Sequence, residues 1–178
     1  MYSLKGYLTR NLLITLTFAM VLLLYFLYQG IQILTQDFVA SRLQHDADSL
    51  ISALNNHPDG TWAITTDRLP NVYHRVNSGH YFAIQIGEQT LRSRSLFDHN
   101  VNMPKLTAGE HHQATDFVGK EHWLMFSQAV IKDDQLVTLW VTEDISELEQ
   151  TQVQFLAFAS AAVLLTIVIL LMAQYQLL

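Results

Sequence analysis

Two long apolar stretches bracket this chain, and they constrain its fold more than any other feature. No residue is charged between positions 11 and 34, or again between positions 155 and 172. The residues between these stretches include all 16 acidic residues, all eight histidines and eight of the ten basic residues. A helix of this length can cross a bilayer core of about 30 Å, because each helical residue rises about 1.5 Å. The sequence therefore predicts one polar domain held between two transmembrane helices.

The first apolar stretch fits a membrane anchor better than a secretory signal peptide. Signal peptides have an apolar core of roughly 7–15 residues followed by a small-residue cleavage site. The stretch here is longer and leads into Ile31-Gln-Ile-Leu-Thr-Gln36 without an Ala-x-Ala step. The second stretch is apolar all round, and a domain this small has no core wide enough to bury such a helix. Both stretches are therefore interpreted as membrane spans.

The distribution of basic residues predicts the orientation of the chain. Lys5 and Arg10 precede the first stretch, whereas Arg42 stands among three aspartates after it. Because Lys and Arg favour cytoplasmic flanks, we expect the N-terminus inside and the central domain outside the cell membrane. The last residues carry no basic anchor, which is typical of a fragment of a longer polypeptide or of a natural short form. The predicted divisions are 1–10 as cytoplasmic N-terminus, 11–34 as transmembrane helix, 35–152 as outer polar domain, 153–174 as transmembrane helix and 175–178 as truncated cytoplasmic end.

The charge of the central domain limits the classes of partner that it can bind. Its acidic side chains outnumber the basic ones by 16 to eight. Such a surface repels nucleic acid and anionic lipid, and it attracts cations and basic peptides. The chain has no cysteine, so a disulfide framework is excluded. Nucleic-acid binding is disfavoured both by this charge and by the predicted location.

The pattern between the spans predicts an α+β domain. Apolar residues recur at three- and four-residue spacing from Leu43 to Leu54, which indicates a helix that continues out of the membrane and ends at the turn formers 55–60. Strand patterns follow at 62–66, 80–86, 89–94, 121–131 and 135–142, with a short helix as one possibility at 69–77 and an irregular segment at 96–110. Residues 143–150 resemble a capped helix that starts at Asp144 with Glu147 completing a capping box. An antiparallel sheet of about five strands, backed by the long N-terminal helix in a PAS-like arrangement, accommodates these elements.

Several of these segments resemble the outer domain of transmembrane sensor histidine kinases. The strand Tyr81-Phe-Ala-Ile-Gln-Ile86, followed by Leu91-Arg-Ser-Arg-Ser-Leu96, is similar to a strand and Arg-Ser-x-Ser-Leu step of that family. The segment Leu139-Trp-Val-Thr-Glu-Asp144 resembles the family's Val-x-Val-Ala-Glu-Asp ending before an exit helix. No HAMP linker, phosphoacceptor helix pair or ATP-binding domain lies within these residues. The resemblance therefore implies the input half of such a kinase, without catalytic residues.

The densest polar cluster of the sequence is a candidate metal site. It comprises Glu110, His111, His112, Asp116 and His122. Imidazole and carboxylate together suit Zn²⁺, Ni²⁺ or Cu²⁺. The adjacent histidines cannot both face one ion from a regular strand, where side chains alternate, although a loop could bring them together. The alternative is a solvated, histidine-rich loop whose side chains titrate near neutral pH and make the domain a mild acid sensor.

A second candidate site contains two arginines. Arg92 and Arg94 alternate with serines, so both guanidinium groups are predicted on one face of a strand. There they could hold a carboxylate or phosphate by paired hydrogen bonds, or instead pair with the surplus acids of the domain. No Ser/His/Asp order, phosphate-binding Gly-rich loop or helical His-Glu-x-x-His is present, so the sequence indicates no enzyme.

These observations predict a signalling role. We expect the chain to act as a homodimer in the membrane that senses a small ligand, a cation, protons or a periplasmic protein. The signal would shift the helix of Leu43, Leu50 and Leu54 against the exit helix of Ile145 and Leu148. A cytoplasmic response regulator would be reached only through kinase domains outside these residues. The alternative is a stand-alone membrane protein that binds and modulates a partner protein.

Overall fold

The computed structural model describes residues 4–65, 69–97 and 99–177. Residues Gln36–Ser146 form one compact unit, called the central domain below, and the helical segments on either side belong to a second unit. The helices are α1 (Leu4–Ala53) and α2 (Ser146–Leu177), with short 3₁₀ helices at Asn71–His74 and Arg94–Leu96. The strands are β1 (Leu54–Asn56), β2 (Trp62–Ile64), β3 (His80–Ile86), β4 (Gln89–Arg92), β5 (His111–Val118), β6 (Glu121–Lys132) and β7 (Gln135–Asp144).

The central domain contains a five-stranded antiparallel sheet in the order β4-β3-β7-β6-β5. A separate two-stranded ribbon pairs β1 with β2. The predicted α+β class with an antiparallel sheet is confirmed, and the hairpin of β6 and β7 lies at its centre as expected. The turn of that hairpin uses Asp133 and Asp134 at φ 48° and 59°, the left-handed conformation of the tight turns that match strand twist.

The part of α1 within the central domain packs on one face of this sheet. Its apolar residues lie on a single stripe, and strand alternation presents apolar side chains to it from β3, β6 and β7. Complete burial of each such side chain contributes about 1.5–3 kcal/mol to folding. The helix residues of this core are Val39, Leu43, Ala47 and Leu50, and the strand residues include Phe82, Ile84, Leu124, Val137, Leu139 and Val141.

The opposite face of the sheet carries a smaller aromatic core. The alternate residues of the same strands point to this side, which includes Tyr81, Trp123 and Trp140, and Leu96 covers them from the second 3₁₀ helix. The Glu121 carboxylate accepts hydrogen bonds from the Tyr81 hydroxyl at 3.0 Å and the Trp123 indole at 2.6 Å. The sheet is therefore buried on both faces over its central strands.

The second unit contains the apolar helical segments. By length and composition, the helices over Gly6–Ala53 and Ser146–Ala173 are each long and apolar enough to cross a membrane. Within this unit the Gln152 amide donates to the Thr35 hydroxyl at 2.6 Å. Polar side chains of this kind stabilise helix pairs in an apolar environment by about 0.6–2 kcal/mol.

Several element boundaries differ from the predictions. The exit helix begins at Ser146, because Glu143 and Asp144 still belong to β7 and pair with β6. Asp144 does cap this helix start, since its carboxylate accepts from the Ser146 backbone N–H at 3.0 Å. β5 lies in a segment for which the sequence pattern predicted no strand. Leu54 was expected in the first helix but belongs to β1.

Candidate functional site

A cavity of about 270 Å³ opens beside β3 and β4, next to the first 3₁₀ helix. We call it the arginine cavity. Its volume is close to the lower end of the range of small-molecule sites, about 300–1,000 Å³. Apolar side chains form much of its wall, and polar side chains stand at its rim. The lining residues are Ile64, Leu69, Tyr73, Phe82 and Leu91 on the apolar side and His74, Arg92, Ser93 and Arg94 on the polar side.

Two buried serines shape the polar rim of this cavity. The Ser93 hydroxyl accepts from the Phe82 backbone N–H at 3.1 Å, and Ser95 donates to the His80 carbonyl at 2.6 Å. The two hydroxyls also contact each other at 2.8 Å. The Ser93 N–H still donates to the Phe82 carbonyl at 3.0 Å, but the Phe82 N–H bonds the Ser93 hydroxyl instead of a backbone carbonyl. β4 ends at Arg92, and a 3₁₀ helix starts at Arg94. The prediction that both arginines extend from one strand face is wrong for this reason, yet both line the arginine cavity.

The rim of the cavity is positively charged. The Arg92 guanidinium donates to the backbone carbonyls of Leu96, at 3.2 Å, and His99. Among the described residues, no hydrogen bond or ion pair engages the Arg94 guanidinium. The described lining includes no carboxylate, although acidic residues outnumber basic ones in this domain. The described lining of the cavity therefore differs in charge from its acidic domain.

Tyr73 connects the wall of the cavity to α1. Its ring packs edge-on against Phe82 with centroids 5.1 Å apart. Its hydroxyl donates to the Asp46 carboxylate on α1 at 2.6 Å. Burial, together with this bond to Asp46, raises the pKa of the Tyr73 hydroxyl well above its ordinary value. The hydroxyl therefore stays a neutral donor that links the wall of the cavity to α1.

A partly buried ion pair joins α1 to β7 close to the end of the central domain. The Arg42 guanidinium bonds one oxygen of Glu143, whose side chain is only 7% exposed. The other carboxylate oxygen, Oε2, is buried without a hydrogen-bond partner in the described part of the chain. His80 Nδ1 lies 3.9 Å from this oxygen. Sequence reasoning missed this pair, and the one signal available was an isolated arginine in an acidic helix.

The structure does not gather the predicted metal-binding residues. His111 and His112 lie on β5 opposite Gln128 and Ser127, so their side chains point to opposite faces. Within residues 4–65, 69–97 and 99–177, no group of three or more His, Asp or Glu side chains could hold a metal ion. The metal site stays a prediction. The other candidates have local contacts: Glu110 accepts from the Thr107 N–H, Asp116 accepts from the Phe117 N–H, and His122 stacks on Phe117 at 4.1 Å.

The residues predicted to transmit a signal have different surroundings. Leu43, Leu50 and Leu54 are fully buried in the core under the sheet, and Ile145 joins the same core. Ile145 lies between β7 and α2 rather than in a helix. Leu148 belongs to α2 and is 38% exposed. Their role in signalling stays a prediction.

Comparison with known proteins supports a sensory role. No protein-family model matches the chain, and no solved structure matches it. It is similar to the sensor protein kinase CarS of Pseudomonas aeruginosa, with 27% identity over 136 residues, which cover 75% of this chain and 30% of that protein. The chain thus spans less than a third of the length of this curated relative. Together with the two apolar helices, the similarity supports a sensor-kinase-like region of an inner-membrane protein with a sensory input role.

Proposed function

We propose that this chain is the input region of a sensor histidine kinase. In this proposal, residues 35–152 form a PAS-like periplasmic domain that perceives a chemical signal, and the two apolar helices carry its state across the inner membrane. The chain would act as a homodimer, and a kinase output domain outside these residues would address a response regulator.

The continuity of α1 is the observation that supports this proposal most strongly. One helix of 50 residues includes both the first apolar stretch and the buried stripe under the sheet. A helix without an interrupting loop transmits rotation and translation along its axis, because its hydrogen bonds link successive turns. The chain leaves the sheet with similar directness, since only Ile145 separates β7 from α2. Both helices are thus tied to the core in which a signal would be sensed.

The signalling role can be tested with a chimera that joins this chain to the output domains of a kinase with a transcriptional reporter. Leu50 is 1% exposed beneath the sheet, and Leu50→Ala removes contacts between α1 and the sheet. We expect this variant to change the reporter signal by about fivefold or more at equal membrane abundance, as a coupling free energy of about 1 kcal/mol implies. Leu136→Ala, at a position 42% exposed on β7, is the matched control. Equal output from the two variants and the parent would refute the signalling role.

The orientation requires its own test, which the absence of cysteine makes simple. A single cysteine at Asp59 or Lys120, both exposed in turns of the central domain, reacts with a membrane-impermeant maleimide only from the side it faces. We expect labelling in cells with a permeabilised outer membrane, before the inner membrane is opened. Labelling only after lysis would place the domain in the cytoplasm and contradict the proposal.

A further inference from the structure

The arginine cavity combines a cationic rim with an apolar wall, and this combination restricts what it can bind. Arg92 and Arg94 both line it, and His74 stands beside them. Ile64, Leu69 and Leu91 are half-buried and form the accessible part of its apolar wall, whereas Tyr73 and Phe82 are almost completely buried. An anion without an apolar part would leave this wall in contact with water. An apolar molecule without charge would leave the Arg94 guanidinium without an acceptor on the ligand.

The two arginines differ in how they are held. Arg92 is fixed by the carbonyls of Leu96 and His99, so its guanidinium has a set position at the rim. Arg94 has no acceptor among the described residues, so its donors are available to an incoming group. The planar guanidinium matches the two oxygens of a carboxylate, which it binds through parallel hydrogen bonds. The fold thus fixes the position of the Arg92 guanidinium, whereas the Arg94 guanidinium is available to bond a ligand.

The size of the cavity sets the scale of the apolar part. A volume of 270 Å³ corresponds to about nine water molecules at about 30 Å³ each. This space accepts one ring or a short chain, not a lipid tail or a peptide. The half-buried side chains of Ile64, Leu69 and Leu91 offer an apolar surface for such a group.

We propose that the arginine cavity binds a small organic carboxylate with an apolar body. Its carboxylate bonds Arg94 with support from Arg92, and its body contacts Ile64, Leu69 and Leu91. Tyr73 lines the same cavity, and its hydroxyl bonds Asp46 on α1, so a ligand in the cavity acts on the contact between this ring and the helix. That last step rests on the proposed signalling function, whereas binding itself does not.

Benzoate is a suitable probe, and benzamide is its uncharged match. The full chain in nanodiscs of zwitterionic phosphatidylcholine, with ¹³C-labelled methyl groups, reports binding through the signals of Ile64, Leu69 and Leu91 at the cavity wall. We expect benzoate to shift these signals in a saturable way at millimolar concentration, and benzamide to bind about tenfold more weakly. Equal binding of the two probes, or no shift at saturating benzoate, would overturn the assignment of a carboxylate.

Charge-removing variants locate the site. Arg94→Gln should weaken benzoate binding about tenfold, which corresponds to about 1.4 kcal/mol. Lys105→Gln is the matched control, because Lys105 lines a different depression, between β3, β7 and the segment Met103–Leu106. It should change the affinity less than about twofold. If Lys105→Gln weakens binding as much as Arg94→Gln, benzoate responds to the overall charge of the domain, and the site is refuted. Unchanged methyl dispersion in each variant shows that the fold is intact.

Phenyl phosphate tests whether the cavity prefers a phosphate group to a carboxylate, because an arginine can bind either group. We expect it to bind no more tightly than benzoate, because the rim offers one uncommitted guanidinium. Binding about tenfold tighter than benzoate would overturn the carboxylate in favour of a phosphoryl ligand. The failures of the two proposals are distinguishable. If benzoate does not bind but Leu50→Ala changes the reporter signal, only the proposed ligand is refuted. If benzoate binds but Leu50→Ala leaves the reporter signal unchanged, only the signalling role is refuted.

Discussion

The two ends of the five-stranded sheet, at β4 and at β5, differ in whether another segment of the chain covers them. At the β4 end, the chain turns back over the sheet after Arg92, so that Ser95 and Leu96 are completely buried. At the other end, β5 is exposed on most of its length, and Phe117 is 72% exposed. Both ends have the same antiparallel pairing. The difference shows that pairing alone builds no site, because a cavity needs a segment that covers the strand edge.

Substitutions of aromatic side chains should show the largest difference in stability between the two ends. Phe82→Ala at the covered end removes a ring that is 2% exposed, and we expect a loss of about 3–5 kcal/mol in the free energy of unfolding. Phe117→Ala at the open end should change it by less than about 0.5 kcal/mol. Urea unfolding of the full chain in nanodiscs, followed by tryptophan fluorescence, measures both. Similar losses in the two variants would mean that β5 is covered in the protein under these conditions.

The serine pair gives the next effect. Ser95→Ala removes a buried hydroxyl and leaves the His80 carbonyl without this donor, which should cost about 1–3 kcal/mol. The matched change at the open end is Thr115→Ala on β5, where the side chain is exposed and the cost should stay within about 0.5 kcal/mol. The same unfolding assay compares them. A neutral Ser95→Ala would show that the covered end does not depend on its hydroxyl bonds.

Alkaline pH gives a smaller effect that is specific to the covered end. The pKa of Tyr73 is raised in the folded state, so the neutral form is favoured there, and the unfolded chain loses its proton first. The stabilisation is complete below the ordinary tyrosine pKa of about 10 and is lost as the pH rises above it. We expect the free energy of unfolding to fall by up to about 1.4 kcal/mol per pH unit above pH 10 from this group.

Tyr73→Phe should reduce that slope. Tyr81, on the opposite face of the sheet, also has a pKa raised by burial and by its bond to Glu121, so the slope should fall further in the double variant with Tyr81→Phe. Unfolding curves between pH 9 and 11 give the slopes. An unchanged slope in Tyr73→Phe would contradict the burial of its hydroxyl against Asp46.

The histidines of the open end give the smallest expected effect. His111 and His112 are exposed and lie on opposite faces of β5, so their side chains are not placed to bind one ion together. We expect the double variant with alanine at both positions to keep its melting temperature to within a few degrees, and Zn²⁺ to stabilise neither protein. A zinc-dependent increase that disappears in the double variant would establish the metal site and would contradict this placement.

Sequence patterns predicted the covered parts of the fold better than the open ones. β3 has the predicted bounds, and β6 and β7 begin at the predicted residues, because burial leaves a pattern in the sequence: these strands are buried on both faces over much of their length and contain runs of apolar and β-branched residues. The buried stripe of α1 was visible for the same reason, at a period near 3.6. β5 was missed because neither of its faces is buried consistently, so His111-His-Gln-Ala-Thr-Asp-Phe-Val118 carries no alternation.

The candidate site was only partly visible in the sequence. The two arginines were recognised from their spacing, yet the end of β4 depends on a bond from the Phe82 backbone to Ser93, which local propensity does not encode. The contacts of Tyr73 with Asp46 and of Arg42 with Glu143 join residues that are far apart in the chain. Such pairs have no local signal, so they become visible only when the topology is known.

β7 is the central strand of the sheet and the last strand to be synthesised, and this has a consequence for biogenesis. β3 pairs with β7 along its whole length, from His80 opposite Glu143 to Ile86 opposite Val137. At roughly 5–20 residues per second, β7 leaves the ribosome roughly 3–10 s after β3 is complete. During that interval β3 has only the short strand β4 as a partner, and its apolar residues have no sheet to join. We therefore expect the nascent chain to depend on holding chaperones until the segment just before the second apolar helix has been synthesised.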